Sequence, residues 1–188
     1  MERANARITV CDRMTTIVLT GPESCGKSTL ARELADSLSA GLVAEQARNF
    51  LNTYAKVGRY QPSDLLRIAN IQNELEQSVQ LEHNVTVCDT DLQVLAIWWS
   101  ERFGPIPSSL VKRYRTSSAR FYLLCRPDIP WESDPQREHP EDRERLYKLY
   151  KSDLEFRNLK FAEIEGLGSN RTTKALAHAR NFLSAIDL

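Results

Sequence analysis

A run of β-branched and apolar residues, Thr16-Ile17-Val18-Leu19-Thr20, is joined to a helix-forming segment starting at Lys27 by Gly21-Pro22-Glu23-Ser24-Cys25-Gly26-Lys27-Ser28. The junction matches G-x-x-x-x-G-K-[ST] in full, in the strand-to-helix setting that gives the motif its meaning. A main chain that wraps a polyphosphate with N–H groups needs glycine where the approach is closest, and the positive end of the following helix adds attraction for the anion. The pattern also constrains architecture. A buried strand, a tight loop and a helix that crosses back form the opening unit of a parallel sheet, so the chain is expected to be α/β.

The remaining periodicities extend that unit. Segments 41–44, 85–88, 121–125 and 161–164 read as further buried strands, short and rich in Val, Leu, Ile, Phe and Cys. Between them run helical patterns: 27–39 with Leu30, Leu34 and Leu38 on one face, a helix through Ala47 to Tyr54, a long one over 63–83, and one from Leu92 that Pro105 and Pro107 break. A short helix follows, then helices over 141–158 and 172–186. Trp98 and Trp99 are assigned to helix packing. The expected fold is a three-layer P-loop NTPase fold, a five-stranded parallel sheet with helices on both faces. Ligands in such sheets bind beyond the strand C-termini, and Gly21, Glu45, Asp89 and Arg126 each follow a predicted strand, so separate segments bring reactive groups to one rim.

Residues 1–13 lack a period and read as a loosely ordered leader, leaving 14–188 as one domain, with a polar lid at about 126–145 between strand four and the next helix. The 25 basic and 25 acidic residues cancel, so no overall positive field exists to hold a nucleic acid or an anionic membrane. The apolar runs fall far short of the roughly 20 residues that span a bilayer. Cys11, Cys25, Cys88 and Cys125 show no paired zinc-site spacing and suit a reducing compartment, so a cytoplasmic protein is expected, its oligomeric state left open.

The phosphate loop assigns an ATP cradle to Gly21, Glu23, Ser24, Cys25, Gly26, Lys27, Ser28 and Thr29, with Lys27 reaching the β- and γ-phosphates and the Ser28 hydroxyl on Mg²⁺. No guanine-reading Asn-Lys-x-Asp segment is present, which favours ATP over GTP. Asp89, ending the third strand, stands where such proteins keep an acid for Mg²⁺. Glu45, after the second strand, is either the carboxylate that takes a proton from an acceptor hydroxyl or an acid favoured by a helix N-terminus. Arg48 either pairs with Glu45 or binds substrate, and Asp91 either binds substrate or caps the helix that follows it. In the lid, Arg137 is the residue expected to close over the transferred phosphoryl group, Asp134 joins the candidate acceptor set, and Trp131 either stacks on a base or anchors packing. Arg143 and Arg145, among Glu141, Asp142 and Glu144, read as a solvated face. Segment 166–172 either meets adenine with backbone groups or caps the last helix.

Taken in order, GPESCGKSTL (21–30), AEQARNF (44–50), VCDTDLQVLAIWW (87–99) and LLCRPDIPWESDPQRE (123–138) resemble the ribosylnicotinamide kinase domains of the NadR-like group, within the P-loop nucleoside kinases. The D-T-D strand end and the D-x-x-W-x-x-D-x-x-R lid are the discriminating parts. The resemblance implies phosphorylation of the ribose 5′-hydroxyl of nicotinamide riboside to nicotinamide mononucleotide, in NAD salvage. It implies Lys27 and Ser28 for ATP and Mg²⁺, Glu45 and Asp89 for hydroxyl and metal, and Arg137 for the lid. Relatives often carry an aromatic residue beside the acid after the second strand, where this chain has Ala44 and Gln46, so the acceptor ring lacks that stacking partner. The alternatives are a kinase of another nucleoside or small hydroxyl metabolite, and a regulatory P-loop ATPase without a metabolite acceptor.

Overall fold

β1 (Thr15–Thr20) is buried at every position, as a strand covered on both faces must be. It lies at the centre of a five-stranded sheet ordered β2-β3-β1-β4-β5, in which β2 (Gly41–Val43), β3 (Val85–Asp89), β4 (Arg120–Cys125) and β5 (Phe161–Ile164) all run parallel to their neighbours. The computed structural model describes residues 14–54, 59–114, 119–135, 137 and 140–186; the expected leader 1–13, with Cys11, lies outside them.

Alternation along β1 splits the core. Ile17 and Leu19 point to one face, where Leu30, Leu34 and Ala35 of α1 (Lys27–Leu38) and Ala175, Ala179 and Phe182 of α7 (Gly168–Ile186) cover them. Val18 points to the other, with Cys88, Tyr122 and Leu124, and is covered by Leu146, Tyr150 and Leu154 of α6 (Arg143–Phe156) and by Ile97 of α4 (Leu92–Phe103). A further cluster joins α2 (Gln46–Tyr54), α3 (Pro62–Glu82), α4 and α5 (Ser108–Tyr114) through Phe50, Leu65, Ile68, Leu95, Trp99 and Leu110. Truncating a fully buried side chain here, such as Leu34 to Ala, costs about 2–5 kcal/mol.

The elements match the expected ones with shifted ends. α3 starts at Pro62, and Asp64 accepts a hydrogen bond from the Gln61 N–H at 2.8 Å, so the cap lies just ahead of Ser63. α7 starts at Gly168 rather than Thr172, which puts Arg171 inside its first turn.

One set of polar groups is buried with the sheet. Arg120 at the start of β4 pairs with Glu76 of α3 and, at 3.2 Å, with Asp91, which also accepts from the Tyr122 hydroxyl at 2.8 Å. Within this set the charged groups removed from water partner one another.

Candidate active site

The parallel register brings the ends of β1, β3 and β4 level, with Leu19 opposite Asp89 and Thr20 opposite Leu124, so the loop after β1 emerges between two acid-bearing or lid-bearing strand ends. Gly21 has φ 128°, and a Cβ there would meet the Cys125 carbonyl oxygen at 2.6 Å. Gly26, at φ 77°, is the left-handed N-cap of α1, and a Cβ would come within 3.2 Å of Ile129 Cδ1 in the lid. Gly21 is therefore required by the chain's own packing, and Gly26 by its left-handed conformation, as well as by a phosphate's approach.

Lys27 folds back over the loop. Its Nζ donates to the carbonyl oxygens of Gly21 at 2.9 Å and Pro22 at 2.5 Å. Burial works against its charge, but Cys25, Glu45 and Asp89 outweigh that, and its pKa is raised. The Cys25 side chain points inward instead, where its thiol donates to the Pro22 carbonyl oxygen at 2.9 Å. Burial pushes that thiol up, yet the neighbouring Cys125 thiol and the charges of Lys27 and Arg171 bring it down to about 6.

Residues Gly21, Glu23, Ser24, Cys25, Gly26, Lys27, Ser28 and Thr29 line a cleft of about 230 Å³, with Glu45, Arg48 and Arg137 on its other walls. Glu45 carries a raised pKa: burial opposes its charge, Lys27 and Arg48 favour it, and Asp89 and Glu23 oppose it again. Asp89 is buried at the tip of β3, and its Oδ1 accepts no hydrogen bond. A buried carboxylate oxygen left unsatisfied near a phosphate loop fits a cation; Asp89 does not itself line the cleft, but its charge acts on Lys27 and Glu45, which do, and Ser28 on the first turn of α1 offers the cleft a hydroxyl. Among the described residues no group of three or more His, Cys, Asp or Glu forms a complete cage. That donor set suits Mg²⁺, which takes one or two protein ligands and completes its shell with phosphate oxygens and water.

The lid after β4 rests on the loop. Ser24 Oγ accepts from the Glu132 N–H at 2.9 Å and from Arg137 at 3.2 Å. Arg143 donates to the carbonyl oxygens of Ser24 and Ile129, each at 3.0 Å, which corrects its assignment to a solvated face; Arg145, paired with Glu101 at 2.6 Å and Asp142 at 3.2 Å, is exposed as expected. The guanidinium groups of Arg137, 5.9 Å from the ring centroid, and Arg143, 5.6 Å away, both lie over the Trp131 ring. Trp131 thus organises the lid arginines and is not among the residues lining the cleft. Asp134 likewise turns to a protein partner, pairing with Arg48 at 2.5 Å and tying α2 to the lid. Arg48 therefore pairs with Asp134 of the lid while also lining the cleft, where its charge acts on Glu45.

Asp91 is drawn inward. It is 3% exposed, and its Oδ1 accepts from the Gln93 N–H at 2.9 Å, so it takes the capping alternative and stands outside the acceptor set. Both tryptophans pack as expected: Trp99 is core, its indole N–H donating to the Pro105 carbonyl oxygen at 3.0 Å, and Trp98 packs against the same cluster while also lining the cleft. The readable signal for that second role is that the run from Val94 to Trp99 is apolar at every position, more than one buried face requires.

Arg171 also escaped the sequence. It is buried in α7, and its guanidinium donates to the carbonyl oxygens of Cys25, Arg126 and Gly166, each at 3.0 Å, and to Asp128 at 2.7 Å, while Asp128 accepts from the Gly166 N–H at 2.6 Å. It brackets the phosphate loop, the lid root and the β5–α7 turn.

Comparison with known proteins follows this geometry. Residues 16–171 match the family described as AAA domain. The Trifunctional NAD biosynthesis/regulator protein NadR of Escherichia coli (strain K12) is 26% identical over 161 residues, 80% of this chain and 38% of its own length. Crystal structures of a NadR protein in complex with NR, and with NAD and AMP-PNP, share the fold at TM-scores of 0.75 and 0.72, with 18% and 19% identity. They cover 92% and 91% of this chain and 52% and 50% of theirs, so the chain spans about half of those relatives or less. A shikimate kinase from Acinetobacter baumannii in complex with shikimate has a TM-score of 0.58 at 17% identity, over 93% of this chain and 96% of its own.

Proposed function

This chain belongs to the AAA-domain family, and from that premise we propose that it is an ATP-dependent small-molecule kinase, which phosphorylates the 5′-hydroxyl of nicotinamide riboside to give nicotinamide mononucleotide and ADP. The observation that carries the reading is one cleft containing a complete phosphate loop, a carboxylate made more basic by burial, Glu45, and, in the same chamber, the apolar side chains of Val94, Ile97, Trp98, Leu146 and Tyr150. A nucleotide switch has no use for that chamber, whereas a phosphoryl acceptor needs it. The NadR likeness in sequence and in fold supports the same choice of acceptor, since one neighbour is bound to NR.

In this mechanism the loop N–H groups from Glu23 to Thr29 grip the β- and γ-phosphates at the start of α1, and Lys27 leaves the Gly21 and Pro22 carbonyl oxygens to meet them. Glu45 accepts the proton of the acceptor hydroxyl as its oxygen forms a bond to the γ-phosphorus, and the bond from that phosphorus to the bridging oxygen breaks, releasing ADP. Arg137, in place over Ser24, offsets charge on the transferring group. Ser28 and Asp89 would hold Mg²⁺, which would supply charge neutralisation for the phosphates. The test is incubation of the purified chain with Mg-ATP and nicotinamide riboside. ADP and a phosphorylated riboside in equal amounts are expected; ADP formation indifferent to the acceptor would sink the kinase reading.

A further inference from the structure

α4 carries two apolar faces. Leu92, Leu95, Ala96 and Trp99 pack into the cluster with α2, α3 and α5, while Val94, Ile97, Trp98 and Glu101, spaced as one stripe along the same helix, line the cleft. Leu146 and Tyr150, one turn apart on α6, pack with Val94 and Ile97 and line the same cleft. Trp98 is only partly buried and is backed by Tyr60, with ring centroids 5.4 Å apart and planes inclined by 31°. Tyr60 is itself fixed, 4% exposed, with Arg102 4.8 Å over its ring. The indole of Trp98 is thus held by an aromatic stack behind it, and its N–H donates to no described protein group.

The charges at this end of the cleft are unlike those at the phosphate end. Lys27 and Arg137 belong to the loop and lid; beyond them the described lining holds Glu45, Glu101, which pairs with Arg145 at 2.6 Å, and one cation, Arg48, which pairs with Asp134 at 2.5 Å. An acceptor that already carried a phosphate or carboxylate would meet these acids without a dedicated cation.

We propose that Trp98 is the stacking wall for the acceptor's aromatic ring, and that the chamber admits a neutral or cationic nucleoside in preference to an anionic acceptor. The inference deepens the kinase reading and rests on it for the position of the hydroxyl. It supplies from α4 the aromatic surface that Ala44 and Gln46 do not offer beside Glu45. A flat heterocycle against Trp98 would leave its sugar hydroxyl toward Glu45, at the loop end of the same cleft.

The experiment compares the wild type, Trp98→Ala and Trp98→Phe with nicotinamide riboside, adenosine, thymidine monophosphate and shikimate as acceptors at saturating Mg-ATP. Loss of the wall should raise the acceptor KM about tenfold or more in Trp98→Ala, the size of one base-on-aromatic stack, with the KM for ATP within about twofold of wild type. Trp98→Phe should restore most of it, a rescue that a general packing defect would not give. The nucleosides should be used in preference to thymidine monophosphate and shikimate. An unchanged acceptor KM in Trp98→Ala, or preference for either anion, overturns the proposal. Tryptophan fluorescence separates it from the kinase reading: riboside-dependent quenching, lost in Trp98→Phe, without product would leave the wall standing and remove the kinase, whereas absence of quenching and of product would remove the wall as well.

Discussion

Arg171 donates a 3.0 Å hydrogen bond to the carbonyl oxygen of Cys25, so the first turn of the last helix holds the main chain of the phosphate loop in place. The same guanidinium holds Arg126 and Gly166, which makes it a positioning residue for three segments around the nucleotide end of the cleft. Arg171→Ala leaves those carbonyl groups and Asp128 without their shared donor and should lower stability by about 3 kcal/mol. With loop geometry disturbed, the KM for ATP should rise about tenfold while the acceptor KM stays near wild type. Arg171→Lys should recover stability more than ATP affinity, because an ammonium lacks the planar fork that meets several carbonyl groups at once. Equal changes in both KM values would assign it a purely structural part.

Lys27 makes its hydrogen bonds to the loop it serves. Lys27→Ala should keep the far-UV circular dichroism of the wild type and lose phosphoryl transfer by about 100-fold or more. Turnover near wild type would show that the ammonium is no part of the reaction.

Burial raises the Glu45 carboxyl above its ordinary value of 4.5, against the pull of Lys27 and Arg48. A base must be ionised to work, so kcat should fall as pH drops through that raised value, an acid limb above the usual carboxylate range, and Glu45→Gln should lose the limb along with most of kcat while binding Mg-ATP as before. The stability effect has the opposite sign. The folded chain keeps the Glu45 proton at pH values where the unfolded chain has released it, so stability declines as pH rises from 4.5 through the raised value, and Glu45→Gln removes that slope. A pH profile for Glu45→Gln matching the wild type would place the proton acceptor elsewhere.

Asp91 caps α4 and faces Arg120 and Tyr122. Asp91→Ala should cost about 3–5 kcal/mol in urea unfolding, since Arg120 would remain buried with Glu76 alone. Both KM values should hold in whatever fraction stays folded; a raised acceptor KM with stability unchanged would return Asp91 to the substrate set.

Arg137 crosses from lid to loop at Ser24. Arg137→Ala should lower kcat by about 100-fold or more with little change in the acceptor KM, and Arg137→Lys should recover little, because spreading charge over several phosphoryl oxygens calls for a planar multidentate cation. A change confined to the KM for ATP would mean that it grips the ground state only.

The fold was legible because each of its signals is local. The strand runs, the leucine spacing of α1 and the G-x-x-x-x-G-K-S turn depend on neighbours a few residues away, and the parallel order follows from their alternation. The loop side of the cleft was legible for the same reason. What stayed hidden depends on which partner a long side chain finds across the fold. Arg48 and Asp134 are 86 positions apart, and Arg171 and Cys25 are 146 apart, and nothing local marks either pair. Asp91 and the second role of Trp98 turned on which side of α4 faced the core, and the unbroken apolar run from Val94 to Trp99 gives no polar face there to decide it.

β1 has strands on both sides, β3 and β4, with the short β2 and β5 taking the rims. Transient opening of a sheet begins where hydrogen-bonded neighbours are fewest, so fraying at the rims need not reach the strand from which the phosphate loop hangs. Amide protons of Ile17 to Leu19 will therefore be among the last to exchange with solvent, and the loop's starting point stays anchored while the edges of the molecule breathe.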